Sequence, residues 1–407
     1  MRRDITSRVT SRGPWNPVIA AIAALTACHG EIDRPTGIRF LHTFSATETE
    51  LFNTAMAERG LAIEPMLVPF ARGQQVIGEI LRAGNDCPDL VRIDATWLPE
   101  LVANHLIAPP PSALTAEDWL PEAAELAQLD HTWWALPQSV DGLIVLRDVG
   151  TPPPESDSLA DLAAAAHRAQ TPAAHYPLEI RVDGYWFVPW LRDAGGELRP
   201  TGIAGDSAVS AMIRMAALFG EVSPPPPPPG SEAPDEVRRW QAHEIAYWIT
   251  GPWQFGELPD RSRIAIGSLA HAPRGGQLLV VPRCARHADD GWRLAAELTS
   301  LATEARFADA FAAVPTRRAA LDTGPALLRA VYEALRGAKM LPRDPVTPLL
   351  FDDLNPAIAA VVSSDATASE AVAGVRRGWQ RLSDPSQPPR AVVVPPMAAP
   401  CLPRSTR

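Results

Sequence analysis

The sequence predicts an α/β protein built as two lobes, and three observations carry that prediction. At 407 residues the chain is longer than one hydrophobic core usually covers. Between residues 38 and 104, strand-like and helix-like segments alternate, which is the rhythm of a parallel sheet covered by helices. Hydrophobic residues at 46% and charged residues at 21% match an ordinary soluble globular composition.

The elements follow in order. Residues 38–41 read as a first strand. Thr47-Glu48-Thr49-Glu50 has capping-box spacing, and Leu51, Phe52, Ala55 and Met56 then supply one apolar helical face. Residues 61–68 read as a second strand, 74–83 as a helix with Val76, Ile80 and Leu81 on its apolar side, and 90–93 as a third strand. A further helix is expected over 97–104. Asp94 then falls just past the carboxyl end of a strand, where ligands bind in open α/β sheets, although that position equally suits a cap for the next helix. Residues 142–146 form a second buried apolar strand, and 159–169 an Ala-rich helix. The aromatic segment 185–190 ends at Ala194-Gly195-Gly196. A polyproline run at 224–229 reads as an exposed spacer. Helical pattern returns near Glu236, over 292–302 and 306–311, and last over 368–382. Residues 383–407 are Pro-rich without a period and read as a disordered tail.

The chain's start reads as an address. Arg2, Arg3, Arg8 and Arg12 precede an apolar run at 18–27, too short for a membrane-spanning helix, which needs about 20 residues. The run ends in Leu25-Thr26-Ala27-Cys28, which resembles the bacterial lipobox: a branched residue, two small ones, then cysteine. That resemblance implies cleavage before Cys28, a lipid on its sulfur, and a tether over 28–37. A plain signal peptide with an incidental cysteine is the alternative. Of the remaining cysteines, Cys87 and Cys284 lie in the body and Cys401 in the tail. Export permits a disulfide, and the spacing leaves the pairing open.

Net charge is −10, with no Arg-rich stripe interleaved with aromatics, which disfavours nucleic-acid binding. The nine His show no metal spacing, and neither a G-x-S-x-G elbow nor a Gly-rich phosphate loop occurs. No cofactor is called for. Twelve Trp against four Tyr is an unusual balance, since Trp offers the best face for a sugar ring or a cation.

Six segments, in order, resemble the maltose/trehalose-type group of extracellular solute-binding proteins. They are Leu41-His42-Thr43-Phe44-Ser45; Pro88-Asp89-Leu90-Val91-Arg92-Ile93-Asp94 with Trp97 and Leu101; the stretch from Trp134-Ala135-Leu136-Pro137 to Asp141-Gly142-Leu143; Pro189-Trp190 with Gly195-Gly196-Glu197-Leu198; Ala246-Tyr247-Trp248-Ile249-Thr250-Gly251-Pro252-Trp253; and Ala313-Val314-Pro315-Thr316-Arg317. The resemblance covers about residues 38–382. It implies a two-lobed, periplasmic-binding-protein-like (type II) fold with hinge strands and a central ligand cleft. On that basis the first lobe is expected from 38–146 and 265–301, and the second from 147–264 and 302–382.

The function implied is capture of a carbohydrate, from monosaccharide to oligosaccharide or a related polyol, by a monomeric, lipid-anchored, exported protein that delivers it to the permease subunits of an ABC importer. Carried over residue by residue, the family's sugar contacts fall on Asp94 in one lobe and on Asp183, Tyr185 and Trp253 in the other. Phe44, Trp97, Asp141 and Arg343 come second. Gln277 is a departure, because many relatives place an aromatic after the Gly275-Gly276 pair. Two alternatives stand beside this reading: a lipoprotein glycosidase using Asp94 and Asp183, and an orphan sensor or interaction lipoprotein that keeps the fold.

Overall fold

The structure is a computed structural model describing residues 37–203, 205–226 and 235–382. The leader with Cys28, the second half of the polyproline run (227–229) and the tail after 382 lie outside the described residues. Thirteen short strands build two main sheets and one hairpin. In chain order the strands are β1 (Ile38–His42), β2 (Ile63–Leu67), β3 (Leu90–Asp94), β4 (Ile107–Ala108), β5 (Gln128–Leu129), β6 (Thr132–Trp133), β7 (Leu136–Gly142), β8 (Ile144–Asp148), β9 (Leu178–Glu179), β10 (Tyr247–Thr250), β11 (Ile264–Gly267), β12 (Pro273–Pro282) and β13 (Lys339–Met340). Among the described residues no helix is long and apolar enough to cross a membrane.

The first lobe is built on a seven-stranded sheet with the order β13-β12-β3-β1-β2, in which β4 and β7 also pair with β12. The β1, β2 and β3 ladders are parallel, as the alternation predicts. The sheet as a whole is mixed, because β12 runs antiparallel to both β3 and β7. All ten residues of β12 are buried, as a strand covered on both faces requires. On one side of the sheet, Phe40, Phe44, Phe52 and Phe307 pack ring against ring with centroids 5.1–6.0 Å apart. The helix Ala46–Glu58 starts two residues earlier than expected. Ser45, in extended backbone, accepts from the Glu48 amide at 3.2 Å, and the Ser45 amide donates to Glu48 Oε2 at 2.8 Å. The capping box is therefore Ser45 with Glu48, and Thr47 lies inside the helix.

The second lobe holds a four-stranded sheet, β11-β8-β10-β9, under the helices Leu159–Ala169, Gly184–Asp193 and Gly205–Ala216. The expected strand at 142–146 is two strands in two different sheets, and Leu143 is the first crossing between lobes. The boundary thus falls earlier than 146. Residues 268–272 return the chain to the first lobe. The helix Leu301–Phe311 belongs there too, since Phe307 packs on Phe44 and the Val140 amide donates to the Val314 carbonyl at 3.2 Å. The helix Ala326–Leu335 lies between the lobes, against β11 and β8 as well as β7, and after β13 the helices Leu350–Val362 and Ala368–Leu382 cover Gly205–Ala216. In the expected second-lobe stretch from 302, the helix Leu301–Phe311 thus packs with the first lobe, because side-chain packing and not element order decides lobe membership.

Candidate functional site

The site begins at one end of the first-lobe sheet. Asp94 ends β3 opposite Gln277 of β12, and Asp141 lies near the end of β7 opposite Gly275 of the same strand. Positions 275 and 277 share a face because strand side chains alternate. The two carboxylates therefore flank β12 from both sides. Asp94 Oδ1 accepts from the Thr96 amide at 2.8 Å and from Thr96 Oγ1 at 2.5 Å, so it caps the turn Ala95–Trp97. Its Oδ2 faces Gln277 Nε2 at 3.4 Å. Both readings of Asp94, cap and site residue, are thus realised by different oxygens.

Burial raises the Asp94 carboxyl above the usual range. Burial, followed by the charge of Asp94, pushes Asp141 up to about 7. The cation that acts on both is Arg92, one position before Ile93 on β3. Its guanidinium is engaged elsewhere, donating to Gln138 Oε1 at 2.8 Å and Thr43 Oγ1 at 2.9 Å while lying over the Phe44 ring at 4.5 Å.

The second lobe supplies an aromatic wall. Asp183 caps the helix Gly184–Asp193, its Oδ1 accepting from the Tyr185 amide at 2.7 Å. Asn355, from the distant helix Leu350–Val362, completes the cap: its Oδ1 accepts from the Gly184 amide at 2.7 Å and its Nδ2 donates to Asp183 Oδ2 at 3.3 Å. Tyr185 is thereby held against the first lobe, where its hydroxyl donates to the Pro273 carbonyl at 3.4 Å. A methyl at Gly275 would lie 3.0 Å from Asp141 Oδ1 and 3.5 Å from that hydroxyl, so the two lobes meet at this glycine. Burial and the charges of Asp141 and Asp94 push the phenol well up.

Tyr185, Trp186 and Trp253 stand edge to face, with centroids 5.9–6.5 Å apart. Trp253 is 42% exposed, whereas Trp186 is buried and donates its Nε1–H to the Ile249 carbonyl at 2.7 Å. The Gly251-Pro252-Trp253 motif has a steric reason, since the Trp253 indole folds back over Gly251 and any side chain there would collide with it.

Of the eight predicted ligand contacts, the structure brings together Asp94, Asp141, Tyr185 and Trp253, with Asp183 holding the helix that carries Tyr185. Three others lie apart from this group. Phe44 is 3% exposed inside the Phe40–Phe52–Phe307 cluster and offers no face to a ligand. Trp97 is 7% exposed, packed under Phe70 and against Gly73. Arg343 is a backbone clamp, donating to the carbonyls of Leu126 at 3.0 Å and Gln128 at 2.8 Å, and burial pushes it down to about 10. Sequence reasoning missed Trp186, Asn355 and the role of Gln277. Trp186 adjoins Tyr185 and Gln277 follows the paired glycines, so both had a local signal, but Asn355 had none.

No protein-family model matches the sequence, and no curated protein is similar to it in sequence. Solved structures do match. The GacH receptor of Streptomyces glaucescens, crystallised unliganded and with acarbose and an acarbose homolog, superposes with a TM-score of 0.73 at 20% identity, over 85% of this chain and 98% of that one. An ABC transporter solute-binding protein of Thermotoga lettingae, bound with α-D-tagatose, gives 0.73 at 19% identity over 86% and 100%. The maltotriose-binding protein of Thermus thermophilus, bound with maltotriose, gives 0.72 at 17% over 85% and 100%. The chain therefore has the two-lobed α/β fold of these sugar-binding transport proteins, which is the fold its six sequence segments resemble.

Proposed function

We propose that this protein captures a carbohydrate between its lobes and delivers it to the permease subunits of an ABC importer, working as a monomer and performing no chemistry on the ligand. The observation that carries this reading is the pairing of opposed surfaces at Gly275. Half-buried carboxylates on the first lobe, which accept paired hydrogen bonds from hydroxyls, face the Tyr185–Trp253 wall on the second, which suits the C–H face of a sugar ring. The three neighbours described above were crystallised with acarbose, tagatose and maltotriose, and they support the same class of ligand. The Asp94–Asp183 glycosidase loses support, because both Asp183 oxygens are engaged in capping. Calorimetry and thermal shift against mono- to trisaccharides and polyols should find at least one ligand, and Trp253→Ala should weaken it at least tenfold, about 1.4 kcal/mol. A folded protein that binds none of them would end this reading.

The reading includes export and a lipid anchor at Cys28. The disulfide between Cys87 and Cys284, with Cα atoms 5.8 Å apart, fits an oxidising compartment. In a bacterial host the chain should partition into the detergent phase of a Triton X-114 extraction, and Cys28→Ser should move it to the aqueous phase. Equal partitioning of the two forms would remove the anchor.

A further inference from the structure

The floor of the cleft is made of acceptors whose nearest cation, Arg92, donates to Gln138 and Thr43 and acts on these acceptors only at a distance. Asp94 and Asp141 flank β12 on one face, and neither forms an ion pair among the described residues. Arg92 is turned toward Gln138, Thr43 and Phe44. The other nearby arginines are matched: Arg274 with Glu125, Arg192 with Glu197, Arg181 with Glu236. Gln277 lies between the two acids and is 8% exposed. Its Nε2 faces Asp94, and its Oε1 has no donor. An unmet buried acceptor beside two unpaired carboxylates costs free energy that a bound donor recovers.

We propose that the sugar this cleft is built for carries a protonated amine, with Asp94 and Asp141 as its counter-charges and Tyr185 and Trp253 as its aromatic wall. The inference rests on reading the cleft as a carbohydrate site and goes further by fixing the ligand's charge. A neutral hydroxyl donates to a carboxylate as readily as an ammonium does, but it leaves the two neighbouring carboxyls repelling each other, a repulsion that in the empty site is relieved by a proton on Asp141. A bound cation relieves it while leaving both ionised, and its hydrogen bonds to them are charge-assisted. The wall is suited to the same guest. Arg181 already lies over the Trp186 ring at 5.2 Å, and the half-exposed Trp253 indole beside it offers a further ring face.

The test uses matched sugars by calorimetry at pH 7: glucose, glucosamine and N-acetylglucosamine; the galactose counterparts; and cellobiose against deacetylated and diacetylated chitobiose. The amine member of a set should bind at least tenfold tighter than its hydroxyl and acetylated counterparts, and Asp141→Asn should cut that preference to threefold or less. Binding the amine should also release protons, seen as a buffer-dependent heat, because the ammonium holds Asp141 ionised; the neutral members should show no such dependence. If a neutral member binds as tightly as the amine or tighter, the charge inference is overturned and sugar capture stands. If no member binds to the folded protein, both fall.

Discussion

Asp141 is where burial and function oppose each other most directly. In an unfolded chain its carboxyl titrates near 4, whereas in the folded protein burial and Asp94 push it up to about 7. Between those values the folded state holds a proton that the unfolded state has lost, so this residue makes stability fall as pH rises from about 4 to about 7. Glu179, pushed up to about 7, and Glu304, up to about 8, act in the same direction. His42, pushed down to about 4, acts in the opposite one. A comparison with Asp141→Asn cancels these shared contributions. The variant should match the wild type in thermal melts at pH 3 and exceed it at pH 8, by no more than about 4 kcal/mol. A variant that is no more stable at pH 8 would mean that Asp141 is not held at a cost in the empty protein.

The helix Gly184–Asp193 shows how one element joins site and hinge. At its start Asp183 and Asn355 fix the turn that presents Tyr185. At its end Arg192, paired with Glu197, donates to the carbonyls of Ala272 at 3.3 Å, Lys339 at 3.1 Å and Met340 at 2.8 Å. Those carbonyls lie on the second and third crossings between lobes, about 10 Å of helix from Tyr185. Little of this was legible locally. Residues 186–192 are all buried and include Pro189, so no 3.6-residue pattern separates helix from strand there. Where one face is buried and the other wet, as in 159–169 and 368–382, the helices fall at the expected residues. The antiparallel placement of β12 could not be read either, because pairing across some 180 residues leaves no local pattern. The same distance hid Asn355 and Arg192 as partners. Asp94 could be placed at a strand end from the local pattern, whereas Asp141 entered only through the family resemblance. Phe44 and Trp97 were misplaced because an aromatic in a core and one beside a ligand look alike in sequence.

At the scale of the whole molecule, the two passes through the first lobe need fastening to each other, and Cys87–Cys284 does this. Cys87 precedes β3 and Cys284 follows β12, so the bond closes a loop of 197 residues that contains the entire second-lobe sheet. Chain-entropy arithmetic puts its stabilisation at about 5 kcal/mol for a loop of that size. The staple lies at the opposite end of β3 from Asp94, and the lobes join through Leu143, 268–272 and the stretch after β13. In the proposed capture, closure on a ligand is motion about those crossings, so a bond within the first lobe should set stability and leave capture alone. A Cys87→Ala/Cys284→Ala double variant should therefore lose several kcal/mol in urea unfolding while its ligand Kd stays within about twofold of wild type. If affinity falls together with stability, the two ends of β3 are coupled, and the first lobe would have to be treated as part of the moving hinge and not as the rigid body on which the second lobe closes.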